Sequence, residues 1–459
     1  MAQLTRHPQG SIQELLALSF PLMISALATM AMIFTDRIFL AHYSIGALNA
    51  SVNAGTLAWA ISGGLGMATG MAEVFVAQYN GAKRYFEIGA PVWQMIWVSL
   101  ASVVLFVPLA LWAGPLIFGS DANGIMEQDY FKWMMAFGPS YALLTSLSSF
   151  FIGRGKTKLL LWLAIAMNGI NIALDWLLIF GVPGLIPEMG VEGAAIGTCV
   201  GSCFQVVILF VLFLREENRI RFGTGRWKLD WEQMRPCIQV GAPQGVFYGL
   251  ELLGMSVFYW MMSSISEQHI TVSSICQSLL LLLYFFPDGL SRGLAAVAGN
   301  MIGAKKFDLV NKAIRSALLI QGLFTLGTAA LLFTELEATL NILFLDGATN
   351  TALLPVLQAC LMYLMAFLFF EGLRWIYGGV LAAAGDTMFL LIAGTFSIWA
   401  FLIVPSYFIV VRHSLSVEVA WMLAALASGL AFVGYWVRYH RGSWRQIDLI
   451  ERTPTEVEE

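Results

Sequence analysis

Long unbroken apolar runs leave this chain few ways to fold. Leu159 to Phe180, Gly193 to Leu214, Ala317 to Phe333 and Met388 to Val411 each carry at most one charged residue. Each approaches the ~20 residues that a helix needs to cross a bilayer. In hydrocarbon only helices and closed barrels satisfy their own backbone. Barrel strands would alternate polar and apolar residues over segments of about ten, and these runs do not alternate. Trp162, Trp176, Trp260, Tyr435 and Trp436 sit toward run ends, as interfacial aromatics do. The pattern predicts an all-α membrane protein.

Composition excludes the other broad classes. The chain is 58% hydrophobic and 12% charged, with a mean hydropathy of +0.75, whereas soluble domains are about a quarter charged. That leaves too little charge to cover a soluble enzyme or a disordered chain. A net charge of −4 offers no basic face for nucleic acid.

Polar breaks give twelve expected transmembrane helices at about 14–42, 50–79, 91–118, 131–152, 158–181, 191–214, 238–263, 271–302, 310–333, 350–384, 387–411 and 415–437. The first run lacks a small-residue cleavage site, so it is expected to remain as a helix rather than be removed as a signal peptide. Twenty of the 25 Lys and Arg fall on one side of this layout, against Lys132 and Arg412 on the other. By the positive-inside rule, both termini are expected in the cytoplasm.

The chain also repeats itself. Pro21 matches Pro243, and Gly81-Ala82-Lys83 matches Gly303-Ala304-Lys305, both at an offset of 222. Gly155-Lys156-Thr157 matches Gly385-Asp386-Thr387 at 230, and Val191-Glu192-Gly193-Ala194 matches Val417-Glu418-Val419-Ala420 at 226. Two parallel six-helix lobes are therefore expected, at 1–214 and 238–440, with a cytoplasmic linker at 215–237 and a cytoplasmic tail at 441–459. Secondary transporters are commonly built from such repeats around a central cleft.

Six acids fall inside expected spans: Asp36, Glu73, Asp175, Glu251, Asp288 and Glu371. Each costs at least ~2.5 kcal/mol at mid-helix, which makes it a functional candidate. Asp36 neighbours Arg37, but adjacent residues point to different helix faces. Asp175 has Asn171 one turn earlier, and a carboxylate beside an amide oxygen suits a hard cation or a shared proton; the same pair could instead glue helices together. Glu251 has no basic residue within a turn. Glu371 has Arg374 at i+3 and Asp288 has Arg292 at i+4, spacings that suit local ion pairs. Glu73 could pair with Arg37 or Arg292. Cys199, Cys203, Cys237, Cys276 and Cys360 read as small buried hydrophobes, and the five histidines as interfacial residues. Gly155-Lys156-Thr157 lacks the strand and first glycine of a phosphate-binding loop. No catalytic set appears, so no enzyme is expected.

Taken together, Pro21 fifteen residues before Asp36, Ala77-Gln78-Tyr79-Asn80-Gly81-Ala82, the segment Asn168 to Gly181, Gly190-Val191-Glu192-Gly193-Ala194-Ala195, Gly241-Ala242-Pro243 with Glu251, and Ala384-Gly385-Asp386-Thr387 resemble the multidrug and toxic compound extrusion (MATE) family, in its bacterial type. The resemblance spans nearly the whole chain. It implies a V-shaped pair of six-helix bundles in the bacterial inner membrane. Such a protein exports amphipathic, usually cationic compounds in exchange for H⁺ or Na⁺, with no further cofactor. It implies an N-lobe cation site of Asp36, Asn171, Asp175 and Thr198, where Asp36 and Asp175 would ligate Na⁺ in a Na⁺-coupled member. It also implies a C-lobe site of Glu251 and Glu371. Arg37, the glutamate at 371, Phe367 and the Asp288/Arg292 pair depart from the family pattern.

The expected mechanism is alternating access. Asp36 and Asp175 take up H⁺ or Na⁺ from outside, α-helix 1 repacks around Pro21 as a hinge, and a cationic substrate leaves. A lipid or lipid-linked oligosaccharide flippase is the alternative, though buried acids outnumber buried bases. Small organic substrates and membrane lipid are the expected partners, with no nucleic acid, and the protein reads as a monomer. Met23, Met30, Met32, Met67, Met71, Phe247, Tyr248 and Met255 are expected near the cleft, where such side chains adapt to varied apolar ligands.

Overall fold

The computed structural model describes residues 4–334 and 354–450. Residues 350–353 of the expected tenth span and 451–459 of the expected tail lie outside the described residues. Among the described residues, twelve helices are long and apolar enough to cross a membrane: α1 Ile12–Tyr43, α2 Ile45–Gly81, α3 Tyr85–Ile117, α4 Ala122–Ile152, α5 Thr157–Phe180, α6 Gly190–Phe213, α7 Trp231–Ile265, α8 Glu267–Gly303, α9 Phe307–Thr334, α10 Leu354–Ala383, α11 Thr387–Val411 and α12 Val417–His440. The described residues hold no strand beyond one isolated bridge, Val182 to Ile186. The protein is an all-helical, multi-pass membrane protein.

Several helices start earlier than hydropathy suggests, because capping side chains rather than apolar residues define their first turns. Asp121 accepts from Gly124 N at 3.2 Å, so α4 begins at Ala122 and not near 131. Asp230 accepts from Glu232 N at 2.9 Å and starts α7 at Trp231 rather than 238. The expected linker is shortened accordingly, and it contains a short helix, Glu216–Phe222. It is also tied down: Trp93 Nε1 donates to Thr224 O at 2.8 Å and Gln94 Nε2 to Lys228 O at 3.1 Å. Wider π turns follow Pro108 in α3 and flank Pro405 in α11, where each proline removes a backbone donor from the helical ladder.

Within the N-terminal half, α5 packs between α1 and α6; within the C-terminal half, α10 packs on α12. Across the halves, α1 packs on α8, and α2 packs on α7 and α8. These contacts lie from mid-helix toward the end of the bundle that carries both termini, here the terminal end. There Gly81 meets the Asn300 backbone and Gly303 meets the Gln78 backbone so closely that any Cβ would collide. Asn80 Nδ2 donates to Asn300 Oδ1 at 2.6 Å, Asn300 Nδ2 to Gly153 O at 2.8 Å, and Gln78 Nε2 to Ala383 O at 2.7 Å. The repeated Gly-Ala-Lys turns thus form a single seal between the halves. At the opposite end, the outer segment of α8, Glu267–Leu283, packs on α7, α10 and α12 of its own half. Phe34 of α1 is 66% exposed there. Met23 and Phe247, expected to line the cleft, are instead buried in packing: Met23 lies against Gly289 where α1 crosses α8, and Phe247 against Gly394 of α11.

Candidate cation-coupling site

Helix α1 delivers Asp36, α5 delivers Asn171 and Asp175, and α6 delivers Thr198. Asp175 is 0% exposed and Asn171 1% exposed, while Asp36 is half-buried. The Asp36 and Asp175 carboxyl groups meet within hydrogen-bonding reach. The Asn171 amide takes the orientation that gives Asp36 a donor, since the network decides which end is nitrogen. Its Nδ2 then lies 3.2 Å from Asp36 Oδ1, and its oxygen accepts from the Thr198 backbone N–H at 3.2 Å. The end of the amide turned toward α6 also stands 3.4 Å from Asp175 Oδ1 and 3.5 Å from Thr198 Oγ1. Four residues from three helices, far apart in sequence, therefore form one cluster.

Two further residues complete it. Gly197 on α6 leaves the space that the Asp175 carboxyl fills, since a Cβ there would strike Asp175 Oδ1. Gly193, Gly197 and Gly201 recur every four residues and receive Leu178, Asp175 and Asn171 in turn, the small-residue spacing that lets helices approach closely in a membrane. That spacing was the available signal for Gly197. Tyr130 of α4 stands near both carboxyls, and nothing in its sequence context marks it. Arg37 turns aside: its exposed side chain lines an outer cavity of about 620 Å³ with Asn49, Asn53, Asn123 and Glu127. Among the described residues, no Lys or Arg forms an ion pair with Asp36 or Asp175. Pro21 lies buried within an unbroken α1, its carbonyl accepting from Ser25 Oγ at 2.8 Å.

The acids of the C-terminal half stand differently. Arg374 on α10 pairs with Glu371 on the same helix and reaches Glu251 on α7 at 2.9 Å. Glu371 also accepts from Trp375 Nε1 at 2.8 Å and Ser428 Oγ at 3.0 Å. Glu251, with no base within a turn on its own helix, takes one from a neighbour. Arg374 thus offsets part of the charge of two buried acids, and Glu371 is further held by neutral donors. Asp288 and Arg292 lie 3.9 Å apart, a loose pair with half-exposed side chains. Arg292, not Arg37, is the base nearest Glu73, whose Oε1 is buried without a hydrogen-bond partner. No group of three or more His, Cys, Asp or Glu among the described residues is disposed to hold a metal.

The sequence profile of the MatE family matches residues 21–177 and again residues 245–408, once in each half. The chain belongs to the MatE family of transporters. The two matched segments start 224 residues apart, close to the offsets of the internal repeat. A probable multidrug resistance protein NorM of Bradyrhizobium diazoefficiens is 26% identical over 97% of this chain and 93% of its own length. A second, from Thermotoga maritima, is 24% identical over 89% of this chain and 88% of its own. A crystal structure of a MATE protein in the straight conformation superposes with a TM-score of 0.82 at 18% identity, covering 97% of this chain and 99% of the other. That likeness establishes the MATE fold.

Proposed function

We propose that this MatE-family chain is a secondary active antiporter that exports amphipathic, cationic compounds, coupled to proton entry at the Asp36–Asp175 pair. The observation that carries this reading is the contrast between the two halves. Asp36 and Asp175 meet without an ion pair to any Lys or Arg among the described residues, whereas Glu251 and Glu371 are both ion-paired to Arg374. Two carboxylates in contact repel unless a proton or cation sits between them. The multidrug resistance proteins of similar sequence support the substrate class.

The amide geometry favours the proton over Na⁺. A hard cation needs a shell of oxygen ligands, but the end of the Asn171 amide turned toward Asp36 is its Nδ2, a donor that cannot ligate a cation. In that orientation the amide oxygen faces Asp175 at 3.4 Å, so a protonated Asp175 donates to it. With basic residues drawn to the cytoplasm, the sealed terminal end is the inner one, in the plasma membrane of a bacterium. The molecule is then outward-facing, and acts as a monomer. Proton uptake from outside neutralises the pair and releases the cation; proton loss inside restores the charge that attracts the next.

Purified protein in vesicles tests this. A pH gradient imposed alone should drive accumulation of a fluorescent organic cation, and a Na⁺ gradient alone should not. Transport driven by Na⁺ and indifferent to pH would overturn the proton assignment.

A further inference from the structure

Beyond α12 the chain turns through Gly442, in the left-handed region at φ 73°, into a short turn, Ser443–Gln446. Trp444 is 0% exposed. It stacks on Tyr439 with ring centroids 5.2 Å apart, abuts Phe307 at 5.7 Å, and donates from Nε1 to Tyr439 O at 2.9 Å. All of these partners belong to the C-terminal half.

Five residues later the chain reaches the other half. Leu449, 5% exposed, joins the buried cluster that contains Leu22, Phe75, Tyr79 and Ile88, and Ile447 and Ile450 pack against it. Ile450 O accepts from Arg84 Nη1 at 3.1 Å, in the turn between α2 and α3. Arg84 is itself steadied by an ion pair with Glu87. Leu449 also covers Gly385 in the α10–α11 turn, where φ is 86° and an added Cβ would come within 2.8 Å of its Cδ1. That turn is fixed to α12 by Arg438 Nε donating to Asp386 Oδ2 at 2.8 Å.

The segment is therefore anchored to both halves, at Arg84 and Gly385, in the turns that follow the seal residues Gln78 and Ala383. A residue spans at most about 3.5 Å, so the stretch from Trp444 to Leu449 holds both anchorages only while the halves stay close. We propose that residues 443–450 are a strap that latches the terminal end shut, and that its N-terminal-half anchorage must release each time that end opens. This rests on the alternating-access reading above. Trp444 and Leu449 are buried in protein and Ile447 and Ile450 are partly buried beside Leu449, which distinguishes the strap from a solvated tail.

Two experiments test the strap, both in a cysteine-free background. In the first, Gln78→Cys reports exposure of the seal to a water-soluble maleimide, with and without Leu449→Asp. Charging Leu449 should weaken the N-half anchorage and raise labelling several-fold; unchanged labelling would overturn the strap. This readout needs no substrate, so it decides the strap even if the transport assignment fails. In the second, Arg84→Cys and Ile450→Cys are joined by a short reducible bifunctional thiosulfonate. Joined protein should stop transporting, and reductant should restore it. Transport at the full reduced rate while joined would overturn the strap and leave the antiport reading standing.

Discussion

Arg374 Nη2, on α10, donates to Glu251 Oε1, on α7, across 2.9 Å. The same guanidinium holds Glu371 and reaches Tyr435 OH at 3.4 Å. One base therefore serves two buried acids from different helices. Removing it strands both, and breaking a buried pair from one side costs about 3–5 kcal/mol. Arg374→Met should lower the thermal midpoint in detergent by several degrees. Arg374→Met combined with Glu371→Gln should recover part of that loss. A single variant as stable as the parent would show that the network contributes nothing.

Glu251→Gln leaves Glu371 paired with Arg374, so coupled export should persist near the parental rate. Asp36→Asn or Asp175→Asn removes half of the unpaired carboxyl couple, and should reduce proton-driven export to the level of empty vesicles while the protein still reaches the membrane. Parental export by both aspartate variants would place the coupling elsewhere.

Gly197→Ala puts a methyl group where Asp175 Oδ1 now sits. The carboxyl must swing away from Asp36, and proton-driven export should fall sharply with little change in yield. Gly201→Ala is the control, since its added Cβ would make only an ordinary contact, 3.7 Å from Asn171 Cβ. Equal loss in the two variants would mean that helix packing alone, and not carboxyl position, is being measured.

Asn80→Leu removes the donor that Asn300 Oδ1 now accepts at 2.6 Å. A buried acceptor left unmade costs about 1–3 kcal/mol, charged only to the sealed state. Spin labels placed on the two halves at the terminal end should report a larger population of long distances. An unchanged distance distribution would remove this hydrogen bond from the gate.

The fold was largely legible because bilayer length and backbone satisfaction act on whole segments. The twelve helices follow from that scale, and the repeat from matched turns such as those of Gly81 and Gly303. Helix starts such as Ala122 and Trp231 were less legible, because an aspartate cap leaves no hydropathy signal. Asp36, Asn171, Asp175 and Thr198 could be named in advance and do come together. What sequence could not supply was a partner on another helix that no motif marks. Glu251 looked unpaired because its base lies on α10, and Tyr130 carries no mark of its place beside the aspartates. Side-chain neighbours across helices depend on helix rotation, which one sequence does not encode locally.

The seal between the halves has a further consequence. Gly81 meets residue 300 while Gly303 meets residue 78, so each half offers the other the same patch in exchange. That reciprocity is the isologous contact of a two-fold homodimer, preserved inside a single polypeptide. The halves treat each other as subunits would, and a change on one side of the seal meets its counterpart on the other. The larger asymmetry lies away from that contact: a pair of aspartates in one half, and an arginine-tied pair of glutamates in the other.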